Sequence, residues 1–254
     1  MFKAILLIAL TAPSMLWGQK EENGGPERSY TITDGAAIWS QMNHTFMGNA
    51  NFTGVVAAAD CVYESTWVHR IDAAGSETAF GAPGVEVPSG ATANSTWAGL
   101  GGSGLNAEEF MQIVDDGGPS GRVRKVMTLT NTTAAPITVN LYYYIDIDAM
   151  ASFGTDTASY AAGVMTISEA AHTVLVEAPG HDNWQIDVFD ASRFGLNTAG
   201  ITNLTNSGSV VNDDFMGAFQ WLDRTINPDE SLTFTVNISS NSTLPVELER
   251  ISID

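Results

Sequence analysis

The chain reads as all-β, a single large antiparallel β-sandwich of two packed sheets. Three observations carry that reading. Apolar and polar residues alternate with period two over long stretches, turn-forming residues fall where those stretches end, and no long segment repeats apolar residues every three or four positions. A hydrophobic fraction of 44% supplies enough apolar surface for a packed core and argues against disorder.

Tyr30–Thr33, Gly54–Ala58 and Cys61–His69 are the first candidate strands. Gly81–Gly104 is dominated by Gly, Ser, Thr and Ala and reads as an ordered surface excursion or a mobile loop. At most a turn or two of helix is expected near Asn106–Phe110, and a strand over Phe110–Asp115. The run Asn131-Thr132-Thr133-Ala134-Ala135-Pro136 is a turn joining Val123–Thr130 to the clearest strand of all, Ile137 to Asp148. There Ile137, Val139, Leu141, Tyr143, Ile145 and Ile147 share one face, and Thr138, Asn140, Tyr142, Tyr144, Asp146 and Asp148 the other. Pro179-Gly180 separates strands at Thr173–Glu177 and Gln185–Phe189, and a second short helical turn is expected over Asp190–Leu196. Asn227-Pro228-Asp229-Glu230 closes a hairpin between Phe219–Ile226 and Leu232–Ile238.

At the N-terminus, Lys3 precedes the apolar run Ala4–Leu10, then Pro13 and the small residue Gly18. That is the layout of a secretory signal peptide, with an apolar core too short to span a bilayer. The expected organisation is a signal over residues 1–18, a charged Gly/Pro-broken segment over 19–29, the sandwich over 30–243 and a tail over 244–254. An extracellular or periplasmic location follows. No transmembrane segment is expected.

Formal net charge is −19, and Lys3 departs with the signal. Between Ser29 and Gly121 the only Lys or Arg is Arg70. Such a chain has no basic patch to neutralise phosphates, so nucleic acid is not expected as a partner and anionic lipid is a poor one. Cys61 is the only cysteine and lies in an apolar-aromatic stretch, which makes it a buried inert thiol. The histidines His44, His69, His172 and His181 are scattered, without zinc-site spacing. Gly101-Gly102-Ser103-Gly104 lacks the spacing of a nucleophile elbow. Seven Asn-x-Ser/Thr triplets, among them Asn43, Asn94, Asn131 and Asn237, are acceptors only in a host that glycosylates them.

Alternate residues on a strand lie about 6.5–7 Å apart, so Tyr142, Tyr144, Asp146 and Asp148 put two phenol rings and two carboxylates on one surface. Exposed, that face would bind a sugar, rings against its C–H side and acids on its hydroxyls. Covered by a second layer, it would be structural. Trp97, in the Gly/Ser/Thr-rich stretch, is the tryptophan most expected to be exposed and completes the candidate ligand-binding set. Asp146 and Asp148 are poorly placed as a glycosidase pair, since catalytic carboxylates flank the bond they cleave from opposite sides. Asp146-Ile147-Asp148, Asp115-Asp116 and Asp213-Asp214 offer oxygen ligands without forming a calcium-loop motif. No cofactor is expected; a structural calcium is the alternative.

Three stretches together resemble uncharacterised secreted bacterial β-sandwich proteins: Asp60-Cys61-Val62-Tyr63-Glu64-Ser65-Thr66-Trp67-Val68-His69-Arg70, Val126–Asn131 through Tyr144–Asp148, and Ala218-Phe219-Gln220-Trp221 with Asn227–Ser231. In the first, His69 stands where an aromatic is usual. The resemblance implies a large sandwich, with a mutarotase-like supersandwich or a jelly roll as variants, and brings no assigned activity. Leu244-Pro245-Val246-Glu247-Leu248 resembles the linker before C-terminal sorting regions, but only six residues follow it, with neither an apolar helix nor a basic tail. The functional expectation is a non-catalytic protein that binds glycan or another extracellular surface. A polysaccharide-active enzyme and a structural cell-surface or matrix component are the alternatives. Export makes the first prediction: the intact mass of the exported protein should lack residues 1–18, and retention of Met1 would contradict it.

Overall fold

The computed structural model describes residues 30–42, 44–46, 50–53, 60–72, 75–118, 120–150, 154–198 and 200–240. The expected signal, the N-terminal segment, the whole Gly54–Ala58 candidate strand and the C-terminal tail lie outside them. In chain order the strands are β1 (Tyr30–Asp34), β2 (Ala37–Gln41), β3 (Ala50–Thr53), β4 (Glu64–Ile71), β5 (Thr78–Ala79), β6 (Val85–Ser89), β7 (Thr92–Trp97), β8 (Leu105–Gly117) and β9 (Ser120–Asn131). After them come β10 (Ile137–Asp146), β11 (Asp156–Ala161), β12 (Val164–Glu169), β13 (His172–Glu177), β14 (Asn183–Val188), β15 (Val210–Asp213), β16 (Phe215–Ile226) and β17 (Ser231–Ser240).

Two layers result, as the period-two pattern requires. One is a nine-stranded sheet in the order β15-β11-β12-β13-β17-β9-β8-β7-β6. Facing it are a five-stranded sheet, β14-β16-β10-β4-β5, and a three-stranded meander, β1-β2-β3. The named strands all pair antiparallel. Between the layers lies one apolar core, in which Leu141, Tyr143 and Ile145 of β10 meet Met127 and Leu129 of β9 and Val236 and Ile238 of β17.

Turn chemistry explains the joints. Asn131 is fully buried at the β9–β10 turn: its side-chain amide donates to the Ala135 and Ile226 carbonyls at 2.7 and 2.9 Å, and its oxygen accepts from Thr133 N–H at 2.8 Å. This Asn therefore organises a turn rather than offering itself for modification. Between β16 and β17, Asp229 takes φ 60°, as a tight hairpin demands.

Two expectations are corrected. Gly81–Gly104 is not a mobile loop: it folds into the β6–β7 hairpin at the edge of the nine-stranded sheet and a short 3₁₀ turn at Leu100–Gly102. Asn106–Phe110 is not helical but belongs to β8, whose Leu105, Ala107, Glu109, Met111 and Ile113 all face inward. The buried Glu109 interrupts an otherwise apolar alternation, which is what hid the strand.

His69 shows what the core does to a titratable group. Its ring packs edge-on against Phe80, with centroids 5.3 Å apart, and the 3₁₀ turn runs so close that a Cβ on Gly101 would lie 3.0 Å from Nε2. Burial lowers its pKa to about 4, with a backbone hydrogen bond at Thr78 opposing. The folded protein therefore holds His69 neutral while the unfolded chain protonates near 6.5. Its contribution to stability is complete above that value and is lost as pH falls toward 4, by about 3 kcal/mol. The difference in unfolding free energy between wild type and His69→Phe should move by about that much in the variant's favour between about pH 7 and pH 4. A constant difference would contradict a neutral buried imidazole.

Candidate functional site

The structure places Tyr142 and Tyr144 on the outer face of the five-stranded sheet, as their alternation implies, but that face is covered. Both are 0% exposed. Residues 189–198 and 200–206 lie over it, held through two buried ion pairs. Arg193 donates from Nε and Nη2 to the two oxygens of Glu64, each at 2.7 Å, with its guanidinium over the rings of Phe46 and Phe189. Arg70 donates to Glu77 at 2.6 Å and reaches the Thr202 carbonyl at 2.7 Å and Asn203 Oδ1 at 3.0 Å. The Tyr142 hydroxyl donates to the Thr202 carbonyl at 2.7 Å and accepts from Gln220 Nε2 at 2.9 Å. Leu196 and Leu204 pack with Tyr142 and Tyr144 in a second small core.

The expectation of an exposed tyrosine surface is thereby corrected. The covering segment lies over that face, and its Thr202 carbonyl accepts the Tyr142 hydroxyl. Trp97 is corrected in the same way: it ends β7 at 5% exposure, its indole N–H donates to the Gly81 carbonyl at 3.0 Å, and His44 and Phe80 meet its ring edge-on. Cys61 is a buried free thiol whose Sγ lies 3.2 Å from the Phe52 carbonyl; burial raises its pKa, in keeping with an inert group.

Asp146 and Asp148 are also buried, 2% and 3% exposed, at the end of β10. Asp214, between β15 and β16, joins them, and the three each offer an oxygen within 4.8 Å of the others. Nearby Asp156 is pushed up to about 7 by burial, with the charges of Asp148, Glu169 and Asp214 adding and the Ala149 N–H opposing. Carboxylates gathered in this way are the donor set of a hard cation.

An open site lies on the outer face of the nine-stranded sheet. A groove of about 230 Å³ runs across β8, β9 and β17, lined by Gln112, Val114, Arg122, Arg124, Asn237 and Ser239. Period two sets this arrangement, since Val123, Lys125, Val236 and Ile238 between them point into the core. Arg122 is held by Asp116 through two 2.7 Å hydrogen bonds, and Asn237 donates to Glu177 at 3.4 Å. Arg124 is exposed, and the Ser239 hydroxyl is buried with no protein hydrogen-bond partner. Guanidinium, amide and hydroxyl groups in one groove can hydrogen-bond a polyhydroxylated ligand and orient a carboxylate on it. The sequence signal was available, since Arg122 and Arg124 alternate on one strand of a chain poor in bases.

No family model matches the chain and no curated protein matches it. Solved structures do. A candidate aldose 1-epimerase from Escherichia coli K12 shares 10% identity at a TM-score of 0.54, covering 84% of this chain and 99% of its own. A protein of Synechocystis sp. PCC 6803 shares 9% at 0.52, over 85% of this chain and 96% of its own. A bacterial glucoamylase in complex with acarbose shares 7% at 0.55, over 86% of this chain and only 33% of its own length. At such identities the likeness establishes the fold, a sandwich of the aldose epimerase type; of the two expected variants it supports the mutarotase-like one.

Proposed function

We propose that the protein is an exported carbohydrate-binding sandwich that takes glycan into the groove on the nine-stranded sheet. The observation that carries this reading is the composition of that groove: Arg124 and the amides of Gln112 and Asn237 stand around the buried, unpartnered Ser239 hydroxyl in about 230 Å³. That volume is below the range of drug-sized pockets, about 300–1,000 Å³, and suits roughly one sugar ring.

Fold likeness supports the ligand class, because a candidate aldose 1-epimerase and an acarbose-bound glucoamylase share the architecture. Binding rather than bond cleavage is the reading because the groove-lining residues named above include no carboxylate, and the nearby Asp116 and Glu177 are engaged by Arg122 and Asn237. Glycan-array screening of the purified protein should return a defined set of ligands. Arg124→Ala and Asn237→Ala should each weaken the best of them about tenfold, the loss of roughly one charge-assisted or amide hydrogen bond, with little change in melting temperature. Retained affinity in both variants would remove the groove as the site, and the absence of any glycan ligand would remove the reading.

A further inference from the structure

Register lays out the outer face of the nine-stranded sheet in rows. Gln112, Arg124 and Asn237 stand side by side across β8, β9 and β17, and Phe110, Val126 and Thr235 form the neighbouring row. Adjacent strands lie about 4.8 Å apart and alternate residues of a strand about 6.5–7 Å, so the two rows make one continuous surface. The first row lines the groove, and the second borders it.

Charge singles out Arg124. Arg70, Arg122, Lys125, Arg193 and Arg224 are paired with Glu77, Asp116, Glu109, Glu64 and Asp182 respectively. Among the described residues Arg124 is the base without a carboxylate partner, and it is exposed. A chain of net charge −19 repels anions over most of its surface. Beside the groove, however, Asp116 is taken by Arg122 and Glu177 accepts from Asn237. A free guanidinium in that setting is a receptor for a planar carboxylate, which its fork grips through two parallel N–H bonds. Ser239 presents a buried hydroxyl without a protein partner in the same groove.

Phe110 is a second, independent feature. Its neighbours Glu109 and Met111 turn inward, so its ring lies on the outer face, where it is half-buried. It belongs to neither apolar core. A ring one row away from the guanidinium offers an apolar plate to one sugar while the next sugar holds the carboxylate.

We infer that the groove selects an acidic glycan, a chain bearing uronic-acid carboxylates, with Arg124 binding the carboxylate and Phe110 carrying the adjoining sugar. This rests on the groove being the glycan site and names the class of glycan it takes. Gln112 and Asn237 flank Arg124 in its row and bond the hydroxyls of the acidic unit. Arg122, tied to Asp116, shapes the groove wall.

The test titrates the purified protein by calorimetry with oligosaccharides of galacturonate, glucuronate, mannuronate and guluronate. Each is run beside its carboxyl-reduced neutral counterpart, and a sulfated oligosaccharide is included. At least one uronate oligosaccharide should bind about tenfold or more tightly than its reduced counterpart. Arg124→Gln should abolish that preference at unchanged melting temperature, leaving both forms at the affinity of the neutral one. Phe110→Leu, which keeps an apolar side chain but removes the ring, should weaken both forms alike, about fivefold, and preserve the preference. Equal affinity for acidic and reduced forms, tighter binding of the sulfated oligosaccharide, or a preference that survives Arg124→Gln would overturn the inference. Unchanged affinity in Phe110→Leu would remove the plate. If a neutral glycan binds and loses affinity in Asn237→Ala, the groove stands as the glycan site and only its acidic selectivity falls. If no glycan of either kind binds, the groove reading falls with it.

Discussion

A single ion pair sealed between the layers sets the terms for the rest of the molecule. Lys125 of β9 and Glu109 of β8 are 0% and 1% exposed, with Nζ 3.3 Å from Oε1. Burial pulls the lysine pKa down and Glu109 draws it back up. Taking two charges out of water costs several kcal/mol each, and only close partners offset it. Every sheet supplies one. From the five-stranded sheet, Trp67 donates to Glu109 at 2.6 Å and the Ser65 hydroxyl receives Lys125 at 2.9 Å while bonding Tyr143 at 2.7 Å. From the meander, the Trp39 ring lies 5.1 Å from the ammonium. Sliding any sheet by one residue would turn these groups away from the pair, so it pins register across all three.

The same logic repeats on the far side of the five-stranded sheet. Glu64–Arg193 and Arg70–Glu77 hold residues 189–198 and 200–206 over β4 and β10, so both strands are buried on two faces. The covering segment uses side-chain and backbone acceptors, Thr202 and Asn203 among them, where an open sheet would use water. Strong polar networks therefore occupy the places that look most like ligand surfaces, while among the described residues the groove over β8, β9 and β17 is open.

How much of this could be read in advance depended on the kind of signal. β10 and the β16–β17 hairpin were plain, because six alternating apolar residues or an Asn-Pro-Asp-Glu turn admit few other local structures. Alternation places Tyr142 and Asp146 on one face but does not say whether loop or water lies over it. That is decided by Arg193 and Thr202, which are 51 and 60 positions downstream of Tyr142 in the sequence. β7 was masked by composition: Ala93, Ser95 and Trp97 alternate inward, yet two of the three are small and sit among Gly, Thr and Asn. Lys125 was the hardest case. A lone lysine between Arg124 and Val126 looks solvated, and its burial follows only once Glu109 and Trp67 are known to face it across the core.

The claim that this pair governs the packing is tested most directly by a double-mutant cycle on Lys125→Met and Glu109→Gln, followed by denaturant unfolding. Glutamine keeps an acceptor for Trp67, so the cycle isolates the charges. Lys125→Met alone leaves Glu109 buried and uncompensated and should cost about 3–5 kcal/mol, and the double variant should recover most of that loss. Small additive effects, with the double variant equal to the sum of the singles, would contradict the account.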